Sequence, residues 1–315
     1  MNLIEEAVII ELFGIRMYAF GVYVALGALL AVIVMVMTGR MVCLKKGTVP
    51  LTALLSILFG AITARIAFCM LNQELGRMTP FSFWPQLNGG GWSMFGLIGG
   101  VFFGGWISAA ITGEKTGTIL DVLSLSVLPL IAAERLGESR IEDFDISRPL
   151  DSTFLNGSFL AVGEDEPCLA TYYVSAAFAM ILFIFLAIRF TQHKQDGFTA
   201  IAFLIIFGAG TIVTESLRYD RFLSISFVGI QQVASAMMLT TGIFFAIRNS
   251  KRPKSILSAA AIISLPVMIG SVIGLEFALD RTTWNKILIY ILMIITVTIP
   301  GMLGMKLLKS GKVRS

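Results

Sequence analysis

Apolar runs long enough to cross a bilayer, about 20 residues each, recur along the whole chain. They fall at about 17–37, 50–72, 92–112, 118–134, 172–190, 198–217, 226–247, 256–278 and 285–307. Short polar turns separate most of them. The pattern predicts an all-α protein, a polytopic membrane helical bundle of about nine transmembrane helices. The 118–134 run is short for a span and is expected to lean on its neighbours. The longest polar connection, about 135–170, leaves room for a small extracytoplasmic cap and for no separate soluble domain.

Composition agrees with the periodicity. Hydrophobic residues make up 56% of the chain and charged residues 14%, too little polar surface for a soluble domain to cover itself. Lysine sets the expected orientation. With these nine spans, Lys45, Lys46, Lys115, Lys194, Lys251, Lys254, Lys306, Lys309 and Lys312 fall on one side, and Lys286 alone lies opposite. Positive residues stay cytoplasmic, which predicts an amino end outside and a carboxyl tail inside. The outer side then receives Glu5, Glu6, Glu11, Glu74, Glu142, Asp143, Asp145, Asp151, Glu164, Asp165 and Glu166. The net charge of +4 reads as anchoring of inner loops to anionic lipid. No basic patch points to nucleic acid. The amino end is acidic before its first apolar run, whereas a secretory signal starts basic, so the first span is expected to be retained.

Candidate chemistry sits where charge meets lipid. Ala132-Ala133-Glu134-Arg135-Leu136-Gly137-Glu138-Ser139-Arg140 places two carboxylates and two guanidiniums directly after an apolar run. Ionisable groups at such depth usually face a protein interior or a wet cavity and mark a site. Arg65 lies well inside the second span, and Glu215 and Arg218 close the sixth. Both Arg135/Glu138 and Glu215/Arg218 are three apart, so each can pair on one helical face. By the lysine topology both pairs reach the outer boundary, where guanidiniums suit a phosphate headgroup through bidentate hydrogen bonds. The bland alternative is salt bridging between spans. Gly96, Gly100 and Gly104 recur every fourth residue and predict close helix packing; a functional version leaves room there for an acyl chain. His193 is the only histidine and maps to a cytoplasmic loop. No cysteine and histidine grouping has metal-ligand spacing, and neither metal nor cofactor is expected. Cys43, Cys69 and Cys168 map inside, within a span and outside, so they form no obvious disulfide framework.

Several of these pieces share an order with one family. Leu120-Asp121, Pro129-Leu130 and Arg135-Leu136-Gly137 resemble the signature region of the prolipoprotein diacylglyceryl transferases. Tyr18-Ala19-Phe20-Gly21 followed by Ala25-Leu26-Gly27 is similar to the family's first span, and Ala64-Arg65 to the Ala-Arg of its second. Gly91-Trp92-Ser93-Met94-Phe95-Gly96 resembles its Gly-x-Ser-Phe-His-Gly segment. Glu215 to Arg218 matches its Glu-Phe-x-Arg ending, and Gln232 to Ser235 its Gly-Gln-x-x-Ser. The likeness covers roughly residues 10–247. It implies a transferase of the bacterial plasma (inner) membrane that moves diacylglycerol from phosphatidylglycerol to the lipobox cysteine of a prolipoprotein signal peptide, releasing glycerol phosphate. It also implies a seven-helix core at about 1–250, with two additional helices and a basic tail at 251–315. Arg135, Glu138, Asp143 and Glu215 are then the catalytic candidates. Arg65, Ser93, Phe95, Gly96, Gly137, Arg218 and Gln232 are the substrate-binding ones. The partners implied are phosphatidylglycerol, the prolipoprotein and membrane lipid.

Departures from the family pattern define the competing readings. Phe95 stands where the family has histidine and Phe20 where it has tyrosine. Glu138 replaces asparagine, and Thr211 replaces an arginine four residues before Glu215. A divergent transferase would hold the phosphate on Arg135 and use Glu138 or Asp143 as base. A non-catalytic relative would bind phospholipid or lipoprotein without transferring anything. A lipid transporter would line a path with Arg65 and Glu215, although no internal repeat or pair of broken spans supports one.

Overall fold

The computed structural model describes residues 8–12, 15–71, 92–141, 146–149, 158–162, 168–192, 196–219, 224–225, 228–282 and 284–311. Among the described residues, nine helices are long and apolar enough to cross a membrane, so the chain is a multi-pass helical membrane protein. They are α1 (Ala19–Met41), α2 (Thr48–Leu71), α3 (Met94–Thr112), α4 (Thr116–Glu138), α5 (Thr171–Gln192), α6 (Phe198–Leu217), α7 (Ile230–Asn249), α8 (Ile256–Arg281) and α9 (Lys286–Lys309). Each lies within a few residues of its sequence expectation. The largest change in length is at α4, which continues through the charged stretch to Glu138 and reaches 23 residues. Helix continuation makes the carboxylates and guanidinium of its last turn part of the span. The chain divides into two compact units, Met1–Glu142 and Asp143–Ser315.

In the first unit a short hairpin, β1 (Val8–Leu12) with β2 (Ile15–Tyr18), precedes α1. The inner helix is α4, buried over 67% of its apolar span, against 11% for α1. Leu26, Leu29, Leu30, Ile33 and Met37 of α1 are exposed, as expected where the solvent is lipid. In lipid the drive for helices to associate comes from close packing and hydrogen bonds rather than from hiding apolar surface. The α2–α3 contact is built that way. A Cβ on Gly104 would lie 2.6 Å from the Leu55 carbonyl oxygen, and one on Gly96 would lie 2.6 Å from that of Thr63. Gly100 meets Thr63 Oγ1 and the Phe59 carbonyl just as closely. The four-residue glycine face is therefore filled by α2 and is a packing seam. Hydroxyls add rungs across it: Thr63 Oγ1 donates to Gly96 O at 2.6 Å, Ser56 Oγ donates to Val101 O at 3.1 Å, and Thr52 and Ser108 share a hydrogen at 2.7 Å. Lys45 Nζ caps the carboxyl end of α3 through the Thr112 and Gly113 carbonyls. At the opposite end, the Ser93 amide donates to Ala64 O at 3.1 Å, and Ser93 Oγ caps α3 by accepting from the Gly96 amide.

In the second unit α6 is the inner helix, also buried over 67% of its apolar span. Strands β3 (Ile146–Pro149), β4 (Ala161–Val162) and β5 (Cys168–Ala170) form a small antiparallel sheet in the order β3-β5-β4. A hairpin of β6 (Ser224–Ile225) and β7 (Val228–Gly229) joins α6 to α7. Gly208 of α6 brings the Leu239 amide of α7 to 2.7 Å from a Cβ position, so these two backbones nearly touch. Helix α9 seats Gly304 against Ile243 of α7 and Ile205 of α6. The two carboxyl-terminal helices thus pack on the helices before them. Ser250 and Ser310 tie the far ends of α7 and α9 together with a 3.1 Å hydrogen bond.

The seam yields a paired prediction. Gly104→Ala forces a methyl into the α2 backbone and should cost about 1–3 kcal/mol. Gly99→Ala, with nothing within 4 Å of its Cβ position, should be neutral or slightly stabilising. Thermal unfolding of the two variants in detergent micelles separates them; equal midpoints would contradict the seam.

Candidate functional site

The last turn of α4 carries the densest charge in the first unit. Arg135 and Glu138 are 3% and 4% exposed, at the end of a helix whose buried residues are mostly aliphatic. Arg135 Nη1 donates to both Glu138 oxygens, at 3.2 and 3.0 Å, and its Nε lies 3.5 Å from Glu134 Oε2. Arg135 Nη2 reaches the thioether sulfur of Met94 at 3.2 Å, so the guanidinium spans from α4 to the first turn of α3. The expected i,i+3 pairing is present, and Glu134 joins it from the adjacent position.

Arg65 is 1% exposed and its guanidinium carbon lies 5.8 Å from the centre of the Trp92 ring, within cation–π range. The Ser93 amide is bound to α2 at Ala64, and Met94 follows directly, so Arg65, Ser93 and Arg135 belong to the same end of this unit. Phe95 is half-buried there. Gly96 faces α2, and Gly137 faces α1, where a Cβ would lie 3.0 Å from Tyr23 Cβ and 3.1 Å from the Phe20 ring. Close helix approach accounts for both glycines. Asp143 lies outside the described residues.

The second unit holds the other candidates at the junction of α6 and α7. Glu215 and Arg218 are buried and 3.8 Å apart. Arg218 ends α6 in an extended conformation and bridges to Ser147 of β3, while the Tyr219 amide donates to Ile146 O at 2.9 Å. With its amide nitrogen turned toward the carboxylate, as the hydrogen-bond network requires, Gln231 donates to both oxygens of Glu215. Gln232 accepts from the Gly229 amide at 3.0 Å and donates to Ile212 O at 3.4 Å and to Glu276 Oε1 at 2.6 Å. Thr211 turns its hydroxyl to its own helix, donating to Phe207 O at 2.7 Å.

Sequence reasoning passed over Gln231, Met94 and Glu276. Glu276 could have been found as a carboxylate inside an apolar run, in Leu275-Glu276-Phe277. Met94 and Gln231 carry no charge to draw the eye, and only the fold brings them to their partners.

Comparison with known proteins identifies chains similar to this one. A family model described as prolipoprotein diacylglyceryl transferase matches residues 7–248. The chain is 26% identical over 248 residues to the phosphatidylglycerol–prolipoprotein diacylglyceryl transferase of Clostridium tetani (strain Massachusetts / E88), covering 76% of this chain and 96% of that relative. It is 24% identical over 268 residues to the protein of the same name from Clostridioides difficile (strain 630), covering 80% and 99%. A third relative, from Staphylococcus haemolyticus (strain JCSC1435), is 22% identical over 238 residues, covering 72% and 82%. The matched family region ends before α8.

Burial makes the α4 pair sensitive to truncation. Glu138→Ala removes the carboxylate closest to Arg135 and should destabilise the protein by about 3–5 kcal/mol, the usual cost of stranding one partner of a buried pair. Glu134→Ala, at a longer distance and with 22% of its side chain exposed, should cost less than about 1 kcal/mol. Thermal unfolding in micelles reads the difference, and a larger loss from Glu134→Ala would reverse the ranking.

Proposed function

The chain belongs to the prolipoprotein diacylglyceryl transferase family, and on that premise we propose that it moves a diacylglyceryl group from phosphatidylglycerol to the lipobox cysteine of a prolipoprotein, at the outer leaflet of a bacterial inner membrane. The observation that carries the reading is the buried Arg135–Glu138 pair, lying within the family's signature stretch at the end of an apolar helix. The lysine distribution supports an orientation with that end outside. In the first unit Lys45 lies at the opposite end from Arg135, bonded to the carboxyl end of α3.

The reaction exchanges one bond for another. The cysteine sulfur attacks the glyceryl carbon that bears the phosphate ester oxygen; the C–S bond forms as the C–O bond breaks. Glycerol phosphate leaves with the electron pair, and the thiol proton must be removed because the thiolate is the nucleophile. Arg135 is assigned to the phosphate. Its Nη2 rests on a thioether, a weak acceptor, which a phosphate oxygen outcompetes through a charge-assisted bond. Nη1 can keep Glu138 meanwhile. Preorganised positive charge at the leaving oxygen is the usual source of such rate enhancement. Glu138 is assigned to the proton, and Arg65 to donor binding in the same unit. In the second unit Glu215 is assigned to holding Arg218, and Arg218 and Gln232 to substrate binding.

One observation favours a second reading, a relative that binds lipid without transferring it. Phe95 and Phe20 offer no proton, and Thr211 spends its hydroxyl on its own helix. The experiment is transfer itself: purified protein in phosphatidylglycerol liposomes with a lipobox peptide, followed by peptide mass. The expected outcome is a gain of one diacylglyceryl group with wild type and a loss of about 100-fold or more with Arg135→Ala. Co-purified lipid without product would establish the binding relative, and full transfer by Arg135→Ala would remove Arg135 from the phosphate.

A further inference from the structure

Helix α8 lies outside the matched family region, yet it places a carboxylate on a family-pattern residue. Glu276 is 0% exposed and sits five residues before the end of a membrane-spanning helix, where an ionisable group is costly and marks function by default. Its Oε1 accepts from Gln232 Nε2 at 2.6 Å. The orientation of the Gln232 amide is fixed by that bond, because its own oxygen accepts from the Gly229 amide at 3.0 Å. Gln232 therefore joins three elements: the β7 end through Gly229, α6 through Ile212 O and α8 through Glu276. Its neighbour Gln231 donates to Glu215, which pairs with Arg218. The first turn of α7 is thus clamped on one side by Glu276 and presents Gln231 to the Glu215–Arg218 pair on the other.

Helix α9 packs against the same helices. Tyr290, in the first turn of α9, places its hydroxyl 3.5 Å from Ser216 O, one residue from Glu215. Gly304 keys α9 onto α6 and α7 further along. From these contacts we infer that the two carboxyl-terminal helices are part of the substrate site, and that Glu276 is a positioning residue that fixes Gln232 and the first turn of α7 for binding. The inference rests on the transferase reading above. A helix pair added only for anchoring would have no use for a buried carboxylate aimed at a glutamine of the family pattern.

A double-mutant cycle on the full-length protein in phosphatidylglycerol liposomes tests it, with two readouts: transfer to a lipobox peptide, and hydrogen exchange at the Gly229 amide. Glu276→Ala should lower kcat/KM about tenfold, since stranding a buried polar partner costs that order, chiefly through KM. Gln232→Ala should lower it by at least as much, and the double variant should fall no further than Gln232→Ala alone. Exchange at Gly229 should speed up about tenfold in Glu276→Ala. Glu276→Gln keeps an acceptor oxygen without the charge, so it should recover most of both losses. It also carries the test if Glu276→Ala does not fold. Losses that multiply in the double variant, or unchanged Gly229 exchange, would overturn the positioning role while leaving the transferase reading intact. Absence of transfer by wild type would overturn that reading, and the exchange cycle would then decide alone whether Glu276 holds the turn.

Discussion

A charge taken out of water must meet its partner inside the protein, and the geometry of both units follows from that requirement. The cost of moving a carboxylate or guanidinium into a low-dielectric interior is several kcal/mol per ion after relaxation. Arg135 is met by Glu138 and Glu134 on its own helix, and Arg218, the extended residue that follows α6, by Glu215 of the last turn. The intrahelical pair at Arg135 needs no second helix in register, so it forms as its helix forms. The next partners belong to other elements: Met94 for Arg135, Gln231 for Glu215, Gln232 for Glu276. These contacts decide which helix ends must lie together within each unit.

Glycine and hydroxyl positions make that arrangement possible. A guanidinium reaches a neighbouring helix only if the two axes are near, and lipid supplies no hydrophobic force to bring them there. In the first unit the α2–α3 seam achieves it with glycines set against carbonyl groups and with hydroxyl rungs. In the second, Gly208 and Gly242 do the same for α6 and α7. Both inner helices, α4 and α6, end in the charged turns. The most buried part of each unit is thereby coupled directly to its candidate chemistry.

How much could be read from the sequence follows from which forces are local. Span positions depend on length and hydropathy alone, and all nine were legible to within a few residues. The Arg135/Glu138 pairing was legible because helix geometry fixes which side chains share a face; Glu215 and Arg218 also meet, but with Arg218 extended beyond the helix end. The end of α4 was not: the apolar pattern stops near Ala133, and only pairing with Glu138 lets Arg135 remain helical and buried. The glycine face at 96–104 was legible as a contact surface, but whether helix or lipid fills it depends on α2, which the local pattern cannot name. Glu276 escaped notice because family likeness drew attention to residues before 248. Its partner, Gln232, is 44 positions away in the chain.

If Phe95 stands at the histidine of the family pattern, as the sequence resemblance implies, the proposed transfer must use other groups. A histidine removes a proton and later gives it up as one neutral base; on the proposed reading Glu138 would do so while hydrogen-bonded to the Arg135 guanidinium. The same ion pair brings a compensating advantage. With Glu138 on Nη1 and a thioether on Nη2, Arg135 is already oriented, and a phosphate bound there as proposed would meet a side chain whose rotamer freedom has been lost. Preorganisation of this kind serves binding and leaving-group stabilisation alike. On the proposed reading, proton transfer is the step that separates a transferase from a binding protein.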